Sequence, residues 1–290
     1  MNEIALDTAL SRTPTHPPRP HLVIAPAAAA WQLGLGELWA CRELLLFLTW
    51  RDLRVRYRQT VLGAAWAIIQ PLTAMVIFTF VFGRLAQLPS DGIPYPIFTY
   101  VALLPWTLFS GALARVTTSV VGSGNLLTKV YFPRVVIPVS GLASSLVDFF
   151  VGFLILILMM LWYGIVPGWS ALALPFLLLM ALGSALGMGL WLAALNVRYR
   201  DITYVVPFVI QVWMYASPVG YSSTLVPARW QWAYSLNPLV GVIEGFRWAL
   251  LGGSWRPGLP LAVSTAVMCL LLASGLMYFR RMETSFADII

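Results

Sequence analysis

The sequence predicts an all-α, polytopic membrane protein. It has six transmembrane helices, an N-terminal amphipathic interface helix, and outer re-entrant or gate helices between spans five and six. Three observations predict this. Only 10% of the 290 residues are charged and 60% are hydrophobic, whereas a soluble domain carries about 25% charged residues. So little charge cannot clothe a water-facing surface. Apolar runs of roughly 20 residues, the length that crosses the hydrocarbon core, recur along the chain, and mean hydropathy is +0.82. Cations are also spread unevenly around those runs, as positive-inside orientation requires.

Residues 1–35 come first. Pro14, Pro17, Pro18, Pro20 and Pro26 interrupt them, and they lack the basic-then-apolar order of a cleavable signal. They are expected to form a disordered cytoplasmic tail, in which His16 and His21 read as solvated side chains rather than metal ligands. A transmembrane domain is expected over 36–280. Its first element, 36–59, holds an apolar run at 44–50 that is too short to cross and is bracketed by Arg42/Glu43 and Arg51/Asp52. It reads either as a helix lying in the inner interface, with Arg54, Arg56 and Arg58 among lipid headgroups, or as a plain stop-transfer flank.

Six spans are expected at about 61–83, 98–121, 135–163, 171–195, 204–220 and 259–279, followed by a cytoplasmic tail at 281–290. Six crossings put both termini on one side. Thirteen of the 18 cations fall on that side and four on the other (Arg84, Arg229, Arg247, Arg256), with Arg115 inside the second span. Both ends are therefore predicted cytoplasmic. The same bias accounts for the net charge of +7 without nucleic acid as a partner. Cys41 and Cys269 stand far apart in apolar settings, which argues against a disulfide framework or a cysteine metal cluster.

Between the last two spans the chain is irregular. Residues 239–251, LVGVIEGFRWALL, are apolar but too short to span, and they carry Glu244 and Arg247. Asn237-Pro238 and Gly252-Gly253 are breakers at either end. Residues 227–234, PARWQWAY, look like a short amphipathic helix at the outer surface. Such elaboration suggests a lid or gate.

Little chemistry is visible. Arg115 and Asp148 are ionisable groups within spans and so functional candidates by default. They read either as an ion pair or, for Asp148, as a group facing an aqueous channel; a proton relay would need more such groups in series. The single lysine, Lys129, follows Thr128, so no G-x-x-x-x-G-K phosphate loop exists. Energy for work against a gradient would have to come from a partner, and no cofactor is expected on this chain. Two inner loops look suited to such a partner: 122–134 (GSGNLLTKVYFPR) and 196–203 (NVRYRDIT). Ordinary positive-inside decoration is the alternative for Arg198 and Arg200. Aromatic residues are abundant (15 Phe, 13 Trp, 11 Tyr). Those near the outer ends of spans, including Tyr95, Trp106, Phe109, Trp213, Tyr215, Tyr221, Trp230, Trp232 and Tyr234, read either as an interfacial belt or as rings against which sugars slide.

Four stretches carry a resemblance: RDLRVRYRQTVLGAAWAIIQPL (51–72), NLLTKVYFPRVVIPVS (125–140), ALNVRYRDITYVVPFVIQVWMYASPVGY (194–221) and LNPLVGVIEGFRWALLGG (236–253). In order and spacing, over about 37–280, the chain resembles the permease subunits of ABC-2-type polysaccharide exporters, closest to those exporting lipopolysaccharide O-antigen. The resemblance implies a homodimer carrying two separate ATP-binding cassette subunits, which hold ATP and magnesium. It places a coupling helix within 125–134 (Asn125, Leu126, Leu127, Lys129, Tyr131, Phe132, Arg134), a neighbouring inner loop at Arg198, Tyr199, Arg200 and Asp201, and gate helices at 227–234 and 240–250. The implied substrate is a glycan on an undecaprenyl diphosphate lipid in a bacterial inner membrane; Arg54, Arg56 and Arg58 of the interface helix are expected to contact its anionic headgroup. Capsular polysaccharide or teichoic acid export uses the same architecture. A small-molecule efflux permease is a further alternative, and a membrane-embedded glycosyltransferase or ATP-independent flippase is the alternative of another class.

Overall fold

The structure, a computed structural model, describes residues 35–58, 65–127, 132–252, 255–283 and 286. The expected N-terminal tail lies outside them. Among the described residues every regular element is helical: α1 (Leu35–Ala40), α2 (Arg42–Arg58), α3 (Trp66–Phe78, continued by a wider turn at Thr79–Leu85), α4 (Tyr95–Gly122), α5 (Gly124–Leu127), α6 (Val136–Trp162), α7 (Leu174–Arg198, led in by a tighter turn at Trp169–Ala173), α8 (Ile202–Tyr215), α9 (Ala228–Tyr234), α10 (Pro238–Leu251) and α11 (Leu259–Glu283).

Five of these stretches are long and apolar enough to cross a membrane: Trp66–Leu85, Tyr95–Gly122, Val136–Trp162, Trp169–Arg198 and Leu259–Glu283. The shortest has 20 residues, about 30 Å at 1.5 Å per residue. The fifth expected span, 204–220, is instead the 14-residue α8 followed by a non-helical segment at 216–220, buried from Ser217 onward. Pro218, which lacks a backbone donor, stands three residues past the helix end and disfavours a further turn.

Helix α4 is the spine. It packs on α7, α6, α10 and α3, and most of its length is buried. Glycines set the closest approaches to the next layer. In α7 the run G-S-A-L-G over 183–187 places two glycines one turn apart, the spacing by which membrane helices let backbones meet. Gly187 faces the α11 backbone, where an added Cβ would lie 2.6 Å from Leu271 C and Leu272 N, and a Cβ on Gly275 would overlap the Gly187 carbonyl. Gly189 faces Val116 of α4 in the same way. Helix α2 leans along α6, burying Leu48 against Phe132, Val136 and Ile137, and turns Leu46, Phe47 and Trp50 outward.

Helix α10 is buried on almost every side by α4, α7 and α11. Asn237 caps its start, its side-chain oxygen accepting from Leu239 N at 3.0 Å. Gly252 ends it with φ 69°, a left-handed conformation that costs glycine nothing.

Substituting Gly275→Ala should therefore force the α7–α11 backbones apart, at about 1–3 kcal/mol. Thermal unfolding of the purified chain should show a lower midpoint for that variant, whereas Gly258→Ala, where an added Cβ would meet only the Arg256 carbonyl at 4.0 Å, should leave the midpoint in place.

Candidate functional site

The site is built from two ionic clusters, one around Asp148 midway along α6 and one around Arg247 of α10, together with two exposed amides on α3 and α8. In the first cluster Asp148 is shared. Arg115 of α4 donates Nη2 to Asp148 Oδ2 at 2.8 Å and Nη1 to Ser145 Oγ. From α2, Arg56 and Tyr57 both donate to the same carboxylate. Arg56 thus belongs to the α2–α6 contact and not, as expected, to a free row of headgroup ligands; Arg54 and Arg58 remain exposed. Burial, and then the Asp148 carboxylate, push the Tyr57 phenol above its ordinary pKa, so it stays a donor at every physiological pH.

The expected coupling residues divide. Lys129 and Tyr131 lie outside the described residues, as do the side chains of Asn125 and Leu127. Leu126 and Phe132 pack into the small core beneath α2. Arg134 donates to the Glu283 carbonyl, while its backbone N donates to Glu283 Oε1 at 3.2 Å, so it fastens the α6 start to the end of α11. Arg198, Tyr199, Arg200 and Asp201 are exposed on the turn between α7 and α8. That turn is held by Asn196, which is buried, donates to Thr117 O at 3.2 Å and accepts from Thr203 Oγ1 at 3.0 Å.

In the second cluster, Arg247 of α10 is 3% exposed. Its guanidinium donates to Glu244 Oε1 at 3.1 Å, to Tyr221 O at 3.0 Å, to Val219 O at 3.0 Å and to Phe98 O at 3.4 Å. It also sits 3.7 Å above the Phe98 ring, where the ring face attracts a cation. Glu244 accepts from Ser223 N at 2.9 Å, and the Tyr95 hydroxyl donates to Gly220 O. Glu244 and Arg247 are therefore anchors for the non-helical segment after α8 and do not line an opening. Tyr221 and Tyr234 share a 2.9 Å hydrogen bond. Burial and that bond raise the Tyr234 phenol.

Trp106 and Phe109, expected near a passage, are 4% and 0% exposed. They lie on the spine helix, enclosed on every side, and Trp213 meets Phe109 edge-on at 5.0 Å. Trp230 and Trp232 of α9 and Tyr215 are exposed.

Two residues that sequence reasoning passed over stand out. Gln70 of α3 and Gln211 of α8 are exposed within apolar helices. Their neighbours Ala74 and Met75, and Ile210 and Met214, pack the same buried cluster around Trp106 and Phe109. The signal was available: each is a lone amide inside an apolar run. On α8, Tyr204, Phe208 and Tyr215 are also exposed.

A family model described as ABC-2 type transporter matches residues 43–251. The chain is 30% identical over 258 residues to the O-antigen export system permease protein RfbA of Myxococcus xanthus, covering 88% of this chain and 98% of that one. It is 26% identical over 261 residues to the protein of that name from Klebsiella pneumoniae, covering 89% and 97%. It is also 26% identical over 246 residues to the polysialic acid transport protein KpsM of Escherichia coli, covering 82% and 92%.

Replacing Arg247 by Met should cost about 3–5 kcal/mol, the penalty for stranding a buried charge partner. Thermal unfolding should show Arg247→Met far less stable than Trp232→Ala at the exposed surface. In the other cluster, Asp148→Asn should release α2, lowering the hydrogen-exchange protection of its amides by about 1.5–3 kcal/mol for the charged hydrogen bonds removed. Arg58→Gln should leave that protection unchanged.

Proposed function

The chain belongs to the ABC-2 type transporter family, and from that premise we propose that it is the permease subunit of an ATP-driven exporter of lipid-linked O-antigen polysaccharide. Two copies of the chain form the conduit, with α8 and the segment after it serving as the sixth crossing. Two separate ATP-binding subunits act at the arginine-rich end, which faces the cytoplasm of the bacterial inner membrane. The likeness to permeases named for O-antigen export supports the substrate class, and an undecaprenyl diphosphate carrier fits the proposed cytoplasmic arginines.

One observation carries the reading: Gln70 and Gln211 are exposed on apolar helices. An amide left against hydrocarbon costs about 2–7 kcal/mol, so these faces of α3 and α8 are suited to water or a second copy rather than lipid. Rings beside them at Tyr204, Phe208 and Tyr215 offer flat apolar surfaces, and the amides offer hydrogen bonds to sugar hydroxyls. A conduit of this kind guides a polymer without holding it.

The two ionic clusters give the reading its mechanics. The proposed push of an ATPase against the Arg198–Asp201 turn reaches α4 directly, because Asn196 joins that turn to Thr117. Through Arg115 and Asp148 it reaches α2 and α6 as well. At the far end, Arg247 binds the segment after α8 to α4 and α10, so a shift of α4 is passed to the outer surface. The likeness to a polysialic acid transport protein supports a second reading, capsular polysaccharide as the cargo of the same machinery.

Proteoliposomes containing this chain and its ATP-binding partner, loaded with lipid-linked O-polysaccharide, test the proposal. Polymer should reach the protected side only with ATP and both subunits. Gln70→Leu/Gln211→Leu should slow transfer roughly three- to tenfold per lost hydrogen bond while leaving ATPase assembly intact. Transfer at full rate by this chain alone overturns it.

A further inference from the structure

A cavity of about 510 Å³, within the roughly 300–1,000 Å³ range of small-molecule pockets, lies apart from the polar face just described. Helix α4 supplies Leu113, α7 supplies Met188 and Leu192, α8 supplies Val205 and Val209, and α11 supplies Leu271. Its two polar edges, the Trp191 indole and Ser274, satisfy each other: Nε1 donates to Oγ at 3.2 Å. What remains to an occupant is an apolar wall. On α8 the residues lining it occupy a different side from Gln211 and Tyr215, by about 100° per residue, so the cavity and the proposed conduit do not compete.

Its depth follows from the helices. Trp191 stacks on Tyr278 with ring centroids 4.1 Å apart, and Gly187 meets Leu271 and Leu272. Numbers rise together, so α7 and α11 run parallel and end at the same side. Arg198 follows Leu192, and Arg280 follows Ser274, by six residues each, about 9 Å at 1.5 Å per residue. That edge of the cavity thus sits about 9 Å inside the arginine-bearing end, within the roughly 15 Å of one leaflet's hydrocarbon. Arg198, Arg200 and Arg281 there are exposed. Among the described residues neither they nor Arg280 form an ion pair with a carboxylate.

We propose that this cavity is a binding site for an anionic phospholipid of the adjoining leaflet, one acyl chain lying between α4, α7, α8 and α11 and its phosphate on Arg198 and Arg280. Apolar walls that end in unpaired cations match such a lipid at both of its ends. Basic pockets between membrane helices take anionic headgroups for the same reason. A long polyprenyl chain overruns this volume, which separates the site from that of the proposed cargo. The lipid would also wedge α8 against the spine, where few other contacts hold it.

Native mass spectrometry of the purified full chain, titrated with phosphatidylglycerol and separately with phosphatidylethanolamine, tests this. One phosphatidylglycerol per chain should be retained in preference to phosphatidylethanolamine. Arg198→Gln/Arg280→Gln should weaken it roughly 25-fold, about fivefold for each surface arginine. Val209→Trp, at a half-exposed position, should fill the slot and abolish retention, and Leu271→Phe serves as an independent filling variant should the first fail to fold. Equal retention of the two lipids, retention unchanged by both filling variants, or displacement of phosphatidylglycerol by equimolar polyprenyl phosphate would each overturn the proposal.

Discussion

A buried backbone polar group needs a partner inside the protein, and the segment after α8 meets that demand chiefly through Arg247, with Tyr95 and Glu244 serving Gly220 O and Ser223 N. Arg247 offers five N–H donors in a fixed fork, and four hydrogen bonds run from them to the carbonyls of Phe98, Val219 and Tyr221 and to Glu244. Lysine has the charge without the fork. The rest of that end is arranged around this contact. It brings α10 beneath the chain between α8 and α9, and it ties both to the start of α4. The segment is thereby tied to α4, which is enclosed by its neighbours along most of its length.

The other cluster solves a related problem with the charges reversed. There one carboxylate, Asp148, serves two arginines and a phenol from α4 and α2. A lone aspartate inside a span is expensive; with three donors it becomes the joint between the spine, α6 and the interface helix. Both joints include α4. Both clusters are thus joined through one closely packed helix rather than through a chain of exposed loops, and the proposed coupling rests on that arrangement.

Much of this was legible in the sequence, and the failures have identifiable causes. The all-α membrane fold followed from charge scarcity and run length, and the ends of α10 followed from Asn237 and Gly252, because capping chemistry is local. The Arg115–Asp148 contact was foreseeable from helical rise. Arg56 was misassigned with Arg54 and Arg58. Helical periodicity separates them, since Arg54 and Arg58 are four apart on one face while Arg56, two residues from each, lies about 160–200° round the helix from them. Trp106 and Phe109 looked available for a passage because nothing local in a sequence says which apolar helix becomes the spine. Arg247 looked like an outer-loop cation for the same reason: its three carbonyl partners come from residues 26 to 149 positions away.

The central claim is that the faces of α3 and α8 bearing Gln70 and Gln211 meet an aqueous passage rather than lipid. In a chain with Cys41 and Cys269 replaced by Ser, single cysteines at position 70, at position 211 and at the exposed apolar position 154 can be challenged with a membrane-impermeant maleimide during ATP turnover by the full complex. The account predicts labelling at 70 and 211 and none at 154. No labelling at 70 and 211, in the presence or absence of nucleotide and substrate, would contradict it.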